Sequence, residues 1–153
     1  MGWPTYRRPS ALKGGWRSGL EEANAALLVK QAIKFLYEKV TFKYIAPETV
    51  HRYTPDFVLH NGIIIETKGR FHSADRKKHK LIKAQHPDLD LRFVFSNSRS
   101  RLRKGSPTTY AKWAFDHGFQ YADKTIPLAW MHEPKNRKSL DALKRLNVKK
   151  EKK

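Results

Sequence analysis

The chain has 153 residues, enough for one domain with a modest core and too few for two of ordinary size. Its 32 Lys and Arg against 14 Asp and Glu leave a formal net charge of +18, a field that makes nucleic acid the leading partner. The lack of cysteine excludes disulfides, zinc fingers of the cysteine type and iron-sulfur clusters, so any metal must sit on oxygen or imidazole ligands.

Met1 to Ser10 lacks a signal-peptide core, and no apolar run approaches the roughly 18 residues of a spanning helix, so a soluble, intracellular protein is expected. Residues 1–15 mix Pro4, Pro9, Gly14 and Gly15 with Arg7, Arg8 and Lys13 and are predicted as a mobile basic arm. The folded domain is expected over 16–134. Ser18-Gly19-Leu20-Glu21 fits a capping box opening an amphipathic helix from about Gly19 to Ala32. Alternating Val40, Phe42 and Tyr44 place a strand in Phe35 to Ile45, and Pro47 makes Ala46 to Arg52 a connector. Thr54–Leu59 and Ile63–Lys68 then read as a hairpin broken at His60-Asn61-Gly62. Ser73 is expected to cap a basic helix reaching Gln85, with Leu81, Ile82 and Gln85 facing inward. A strand at Leu91–Phe95 follows, then a loop from Ser96 to Gly105. Ser106-Pro107 is expected to open a helix through Tyr110, Trp113 and Ala114 that Gly118 stops. A short strand over Phe119–Ala122 and a helical turn at Pro127–Trp130 precede a basic tail, 135–153, expected to fray despite its Leu140, Leu143, Leu146 stripe. The order of elements predicts an α/β domain with a mixed sheet covered by helices.

Phosphodiester hydrolysis needs a nucleophilic water, a Lewis acid for the pentacovalent phosphate, and a group that orients or deprotonates the water. Asp56 and Glu66-Thr67-Lys68 offer candidates for all three. On a strand Glu66 and Lys68 share a face, so a carboxylate suited to Mg²⁺ and an ammonium suited to water or phosphate point into one cleft. Thr67 faces away, but its carbonyl is a further oxygen ligand. Loop length decides whether Asp56 joins them. A two-residue Asn61-Gly62 loop sets Asp56 opposite Thr67. A three-residue loop, His60 to Gly62 with Gly62 left-handed, pairs Leu59 with Ile63 and sets Asp56 across from Glu66. The longer loop is expected. The bland alternative is an ordinary hairpin with solvated charges, since a lone Glu-x-Lys arises by chance about once in a chain of this size. Against it, Ile63-Ile64-Ile65 buries the strand that ends in Glu66, and a carboxylate at such an edge invites a partner.

Glu21 read by itself is the last residue of a capping box; the alternative is a third carboxylate for metal. Each of the seven histidines is expected at the surface. Trp113, Trp130 and Phe71 are expected in the core, with Trp16 the better candidate for stacking on bases. Lys13, Arg17, Arg70, Arg76, Lys77, Lys78, Arg99, Arg101, Arg103 and Lys104 are candidate phosphate contacts, which position DNA without reading its sequence; the runs among them also suit solvated faces.

The blocks Arg17-Ser18-Gly19-Leu20-Glu21, Tyr53-Thr54-Pro55-Asp56-Phe57, Asn61-Gly62-Ile63, Glu66-Thr67-Lys68-Gly69, Asp75-Arg76-Lys77-Lys78-His79 and Lys104-Gly105-Ser106-Pro107-Thr108 carry a resemblance. In order and spacing they resemble the phage endonuclease I family, Holliday junction resolvases of the PD-(D/E)xK type, over most of the chain apart from its two tails. The resemblance implies a nuclease core with the catalytic set Glu21, Asp56, Glu66 and Lys68. It implies one or two Mg²⁺ or Mn²⁺ ions per site on the three carboxylates and the Thr67 carbonyl, and so overrides the capping-only reading of Glu21. It also implies an intertwined homodimer in which about 16–45 exchange through the connector 46–52, branched DNA as substrate, and the cytoplasm of an infected bacterial host as the setting. A catalytically silent basic DNA-binding module and a ribosomal-type RNA-binding protein would share the charge. Both leave Asp56 and Glu66 unexplained.

Overall fold

A computed structural model describes residues 17–146, so Lys13, Trp16 and the rest of the arm lie outside the described residues, as do 147–153. In chain order the elements are α1 (Gly19–Lys30), β1 (Phe35–Tyr37), β2 (Phe42–Ala46), β3 (Thr49–Tyr53), β4 (Phe57–Leu59), β5 (Ile63–Lys68), α2 (Ser73–Gln85), β6 (Asp90–Phe95), α3 (Tyr110–Asp116), β7 (Tyr121–Asp123), α4 (Leu128–Met131) and α5 (Arg137–Leu146). Ile63, Ile64 and Ile65 are fully buried although neighbours on a strand point to opposite faces, so β5 must be covered on both sides. It is the central strand of a five-stranded sheet ordered β1-β4-β5-β6-β7. β1, β4 and β5 pair antiparallel, whereas β5, β6 and β7 pair parallel, with α2 as the crossover from β5 to β6. The expected mixed sheet between helices is therefore present.

The two faces bury different chemistry. On one, Ala25 and Leu28 of α1 pack with Ile126, Trp130 and Met131 over Phe57, Ile63 and Ile65. On the other, Phe42, Tyr53, Phe71, Phe93, Phe95 and Trp113 form an aromatic cluster beneath α2 and α3. Asn24 ties α1 to the chain after β7, donating to the Lys124 carbonyl and accepting from the Ile126 N–H. These contacts fix the first turn of α1 beside the ends of β4 and β5.

The loop between β4 and β5 has the expected length. Phe57 pairs with Ile65 and Val58 with Ile64, the register of a three-residue connection over His60 to Gly62. Gly62 has φ +94°, and a Cβ there would stand 3.1 Å from both the Asn136 carbonyl and Leu140.

Several expectations are corrected. Phe35 to Ile45 is two strands, β1 and β2, because Glu38 takes a left-handed φ of 49° and turns the chain. Ala46 to Arg52 is a hairpin rather than an extended connector: the turn at Pro47-Glu48, with Glu48 at φ 66°, pairs Ala46 with Thr49 and Phe42 with Tyr53. Gln85 clamps that hairpin to α2 through both backbone groups of Ile45. α2 is capped at His72, whose N–H donates to Asp75, so Ser73 is its first residue. α3 begins at Tyr110 under a Thr109 cap, and Ser106-Pro107 belongs to the preceding loop. The last strand begins at Tyr121 rather than Phe119. The start of the tail does not fray. α5 packs Ser139, Ala142 and Leu143 inward, and the Ser139 hydroxyl donates to the Gly62 carbonyl at 2.6 Å.

Docking of α5 makes a measurable claim. Leu143→Ala is expected to lower unfolding free energy by about 2–5 kcal/mol in a denaturant titration, the usual range for emptying a fully buried leucine site. A change below about 0.5 kcal/mol would mean that this helix does not pack as described.

Candidate active site

Four chain segments end around one cleft of ≈ 580 Å³, lined by Glu21, Asp56, Glu66, Thr67 and Lys68 together with Arg17, Arg52, Tyr53, Arg70, Asp75 and Lys78. Each acid arrives by a different route. Glu21 lies in the first turn of α1, where its N–H is capped by the Ser18 hydroxyl. Its Oε1 accepts from the Arg17 N–H at 3.1 Å and from the Tyr37 hydroxyl at 2.6 Å. The capping-type hydrogen bond and the cleft position therefore coexist on one side chain. Asp56 sits just before β4, past the last ladder pair. Its Oδ2 accepts from both the N–H and the hydroxyl of Thr67, at 2.9 and 2.7 Å. Glu66 extends from β5 toward the aromatic face, where its Oε1 accepts from the Tyr53 hydroxyl at 2.7 Å. The Lys68 ammonium is 3.5 Å from Glu66 and 3.2 Å from Asp75.

The expected register holds, but the Asp56 carboxylate is not laid over Glu66. Free of the ladder, it turns to Thr67, so the two acids share a cleft rather than a sheet face. The tightest trio of acid oxygens also differs from the expected one. One oxygen from each of Glu21, Glu38 and Asp56 lies within 4.8 Å of the others. Glu38 in turn pairs with Arg17 at 3.0 Å.

Burial and mutual repulsion set the electrostatics. Glu21, Asp56 and Glu66 are only 6 %, 5 % and 7 % exposed. Burial pushes Glu21 up to about 7, against the Tyr37 hydrogen bond and with help from the Asp56 charge. Burial, then the charge of Glu66, pushes Asp56 up to about 6, against its two bonds from Thr67. Glu66 is raised by burial too, opposed by Lys68 and Tyr53. Asp75 goes the other way: the Lys68 charge and the His72 N–H outweigh burial and hold it below the ordinary range. Three acids held above their normal range chiefly by burial make a donor set of hard oxygens that suits a hard divalent cation.

Comparison with known proteins bears on what this cleft serves. The sequence model described as phage endonuclease I matches residues 1–153. The chain belongs to the phage endonuclease I family. It is 52 % identical over 137 residues to endonuclease I of Escherichia phage T7, covering 90 % of this chain and 92 % of that protein. It is 54 % identical over 129 residues to endodeoxyribonuclease 1 of Enterobacteria phage T3, covering 84 % and 85 %. The six blocks singled out in the sequence all lie within the span that the family model matches.

The other candidates scatter around this cleft. Arg17, Arg70 and Lys78 line it. Arg76 and Lys77 border a neighbouring groove along α2 with Lys80 and Trp113. Arg99, Arg101, Arg103 and Lys104 are exposed in the loop after β6 and line neither. His79, expected at the surface, is fully buried. Tyr53, Asp75 and Glu38 went unassigned as site residues. The first two lie inside quoted blocks, and Glu38 is brought in by a left-handed backbone that no pattern announces.

The raised acids have a consequence for stability. Their folded pKa values exceed the unfolded ones near 4, so the folded chain binds more protons and loses stability as pH rises from about 4 to about 7. Without divalent cations, the melting temperature is expected to fall over that window from this source, and Glu21→Gln to flatten its upper half. Identical slopes for wild type and variant would contradict the assignment.

Proposed function

We propose that this endonuclease is a structure-selective endodeoxyribonuclease that hydrolyses phosphodiesters in four-way (Holliday) and other branched DNA, using Mg²⁺ or Mn²⁺. The observation that carries the reading is the convergence of three buried, under-neutralised carboxylates and one lysine in a single cleft with a cationic rim. The printed name of the T3 relative, endodeoxyribonuclease 1, supports DNA as the substrate.

In this reading Glu21, Asp56, Glu66 and the Thr67 carbonyl hold the cation. Bound there, it supplies a Lewis acid for the phosphate and a water acidified toward neutral pH. The protein's own groups do the rest. Thr67 fixes one oxygen of Asp56, and Tyr37 one oxygen of Glu21, while the two carboxyl groups also share a hydrogen bond that a bound cation would replace. Lys68, placed between Glu66 and Asp75, orients the attacking water or a phosphate oxygen. Arg17, Arg70 and Lys78 meet the flanking phosphates, with Arg76, Lys77 and the Arg99 to Lys104 loop contacting more distant ones.

The reading includes an intertwined homodimer. Opening the β2–β3 hairpin at Pro47-Glu48 would carry residues 16–45 to a second chain, where α1 and β1 would remake the same contacts and deliver Glu21 across the dimer. Glu48, a non-glycine residue held at φ 66°, is the strained point at which such an opening relieves cost. Two sites in one dimer suit paired cuts across a junction.

Three outcomes follow. On a four-way junction with Mg²⁺, Glu66→Gln and Lys68→Ala are expected to lower the cleavage rate at least 1,000-fold, on the order of losing a main catalytic contact, while junction binding persists. Wild-type rates in either variant would refute the assignment. Binding itself should weaken by orders of magnitude over a fourfold rise in salt, and a flat response would rule out charge-based docking. Inactive Glu21→Gln and Glu66→Gln chains, unfolded and refolded together, should regain cutting if Glu21 crosses the dimer, because mixed dimers then contain one intact site. No recovery would place all four residues in one chain.

A further inference from the structure

The aromatic face behind Glu66 buries two polar side chains to which the proposed chemistry assigns no part: His79 and Tyr53, 0 % and 3 % exposed. The Tyr53 ring meets His79 edge-on at 5.3 Å between centroids, and His79 meets Phe93 in the same way at 5.0 Å. Leucine and phenylalanine would fill this volume without burying polar atoms, whose burial costs free energy unless each is bonded. The bonds lead to the cleft. The Tyr53 hydroxyl donates to Glu66 Oε1 at 2.7 Å and stands 3.3 Å from His79 Nε2, and His79 Nδ1 stands 2.8 Å from the Asp75 carbonyl.

Elementary hydrogen-bond chemistry orders this chain. A carbonyl only accepts, so Nδ1 of His79 carries the ring proton, and burial keeps the ring neutral by pushing it down to about 3. Nε2 therefore offers a lone pair. The Tyr53 hydroxyl has one proton and two acceptors, and the shorter contact goes to the carboxylate, the stronger of the two. With its proton given to Glu66, the hydroxyl makes no hydrogen bond to the Nε2 lone pair, so His79 holds Tyr53 by edge-on packing of the two rings, and Glu66 is held from one side by Tyr53 and from the other by Lys68. The same α2 that carries His79 presents Asp75 to Lys68, which sets both partners of Glu66 from a single helix.

We propose that Tyr53, packed edge-on against His79, is a positioning residue for Glu66, fixing the plane of that carboxylate for the divalent cation. The inference rests on the metal-nuclease reading above. Its test is Tyr53→Phe, which removes one oxygen and keeps the ring. Three quantities are measured: single-turnover cleavage of a four-way junction at saturating protein, junction affinity by gel shift, and Mn²⁺ affinity of the DNA-free protein by calorimetry. Cleavage is expected to slow 10- to 100-fold and the Mn²⁺ dissociation constant to rise by a similar factor, the usual cost of losing a ligand's supporting bond, with junction affinity within about twofold. Because His79 reaches Glu66 only by way of its packing on Tyr53, adding His79→Leu to Tyr53→Phe should slow cutting no further, whereas independent roles would multiply. Wild-type cleavage and Mn²⁺ affinity in Tyr53→Phe would overturn the proposal. So would a rate loss matched by a loss of folded protein with Mn²⁺ affinity intact. Failure of the underlying reading shows differently: the wild-type protein itself would then neither cut the junction nor bind Mn²⁺.

Discussion

Carboxylates that leave water together repel one another, and the repulsion grows as the medium around them becomes less polar. Glu21, Asp56 and Glu66 are in that position, with Lys68 as the amine closest to Glu66. Glu21 and Asp56 are both pushed up, because burial and neighbouring acids outweigh the hydrogen bonds that Tyr37 and Thr67 supply. A fold keeps such a cluster only where something else holds it in place. Here that is the pair of apolar faces on β5, which lock Ile63 to Ile65 and thereby fix where the strand delivers Glu66, Thr67 and Lys68.

The charge pattern of the molecule has two length scales. At a distance, in the proposed function, the +18 of the chain would draw a polyanion in, with the rim residues Arg17, Arg70 and Lys78 placed to meet it first. Inside the cleft the sign reverses, and a phosphate would face acids. A divalent cation between them reconciles the two, which is why the acid cluster and the basic surface belong to one function in this account. The supporting hydroxyls of Tyr37, Tyr53 and Thr67 bond one oxygen of each acid, a pattern that limits rotation of the carboxylates.

Much of this was legible in the residues, and the exceptions have physical causes. Ile63-Ile64-Ile65 marked a strand buried on both faces, and a glycine after His60-Asn61 marked the left-handed end of a three-residue loop, so the β4–β5 register could be argued from period and loop length alone. The same argument misplaced the Asp56 carboxylate, because ladder geometry stops at Phe57 and a side chain beyond it follows its hydrogen bonds. Glu21 read by itself pointed to a capping box, and only the family resemblance turned it toward the cleft. Pro47 disguised a hairpin whose Thr49 and Val50 are good strand formers, since a proline in the turn costs no ladder bond. His79 was hidden by the charged residues on either side of it. It stands three positions before Ile82, on the face of α2 that packs inward, and that spacing was available. Likewise the basic composition of α5 obscured Ala142 and Leu143, which close the core over Gly62 and the sheet.

The central claim is that Glu21, Asp56 and Glu66 together hold a divalent cation. Crystals grown with Mn²⁺ and measured for its anomalous scattering test it most directly. The account predicts a peak in the cleft bound by oxygens of these three residues, and loss of that peak in Asp56→Asn. An ordered cleft with no peak, or a peak held by Glu38 without Asp56 and Glu66, would contradict it.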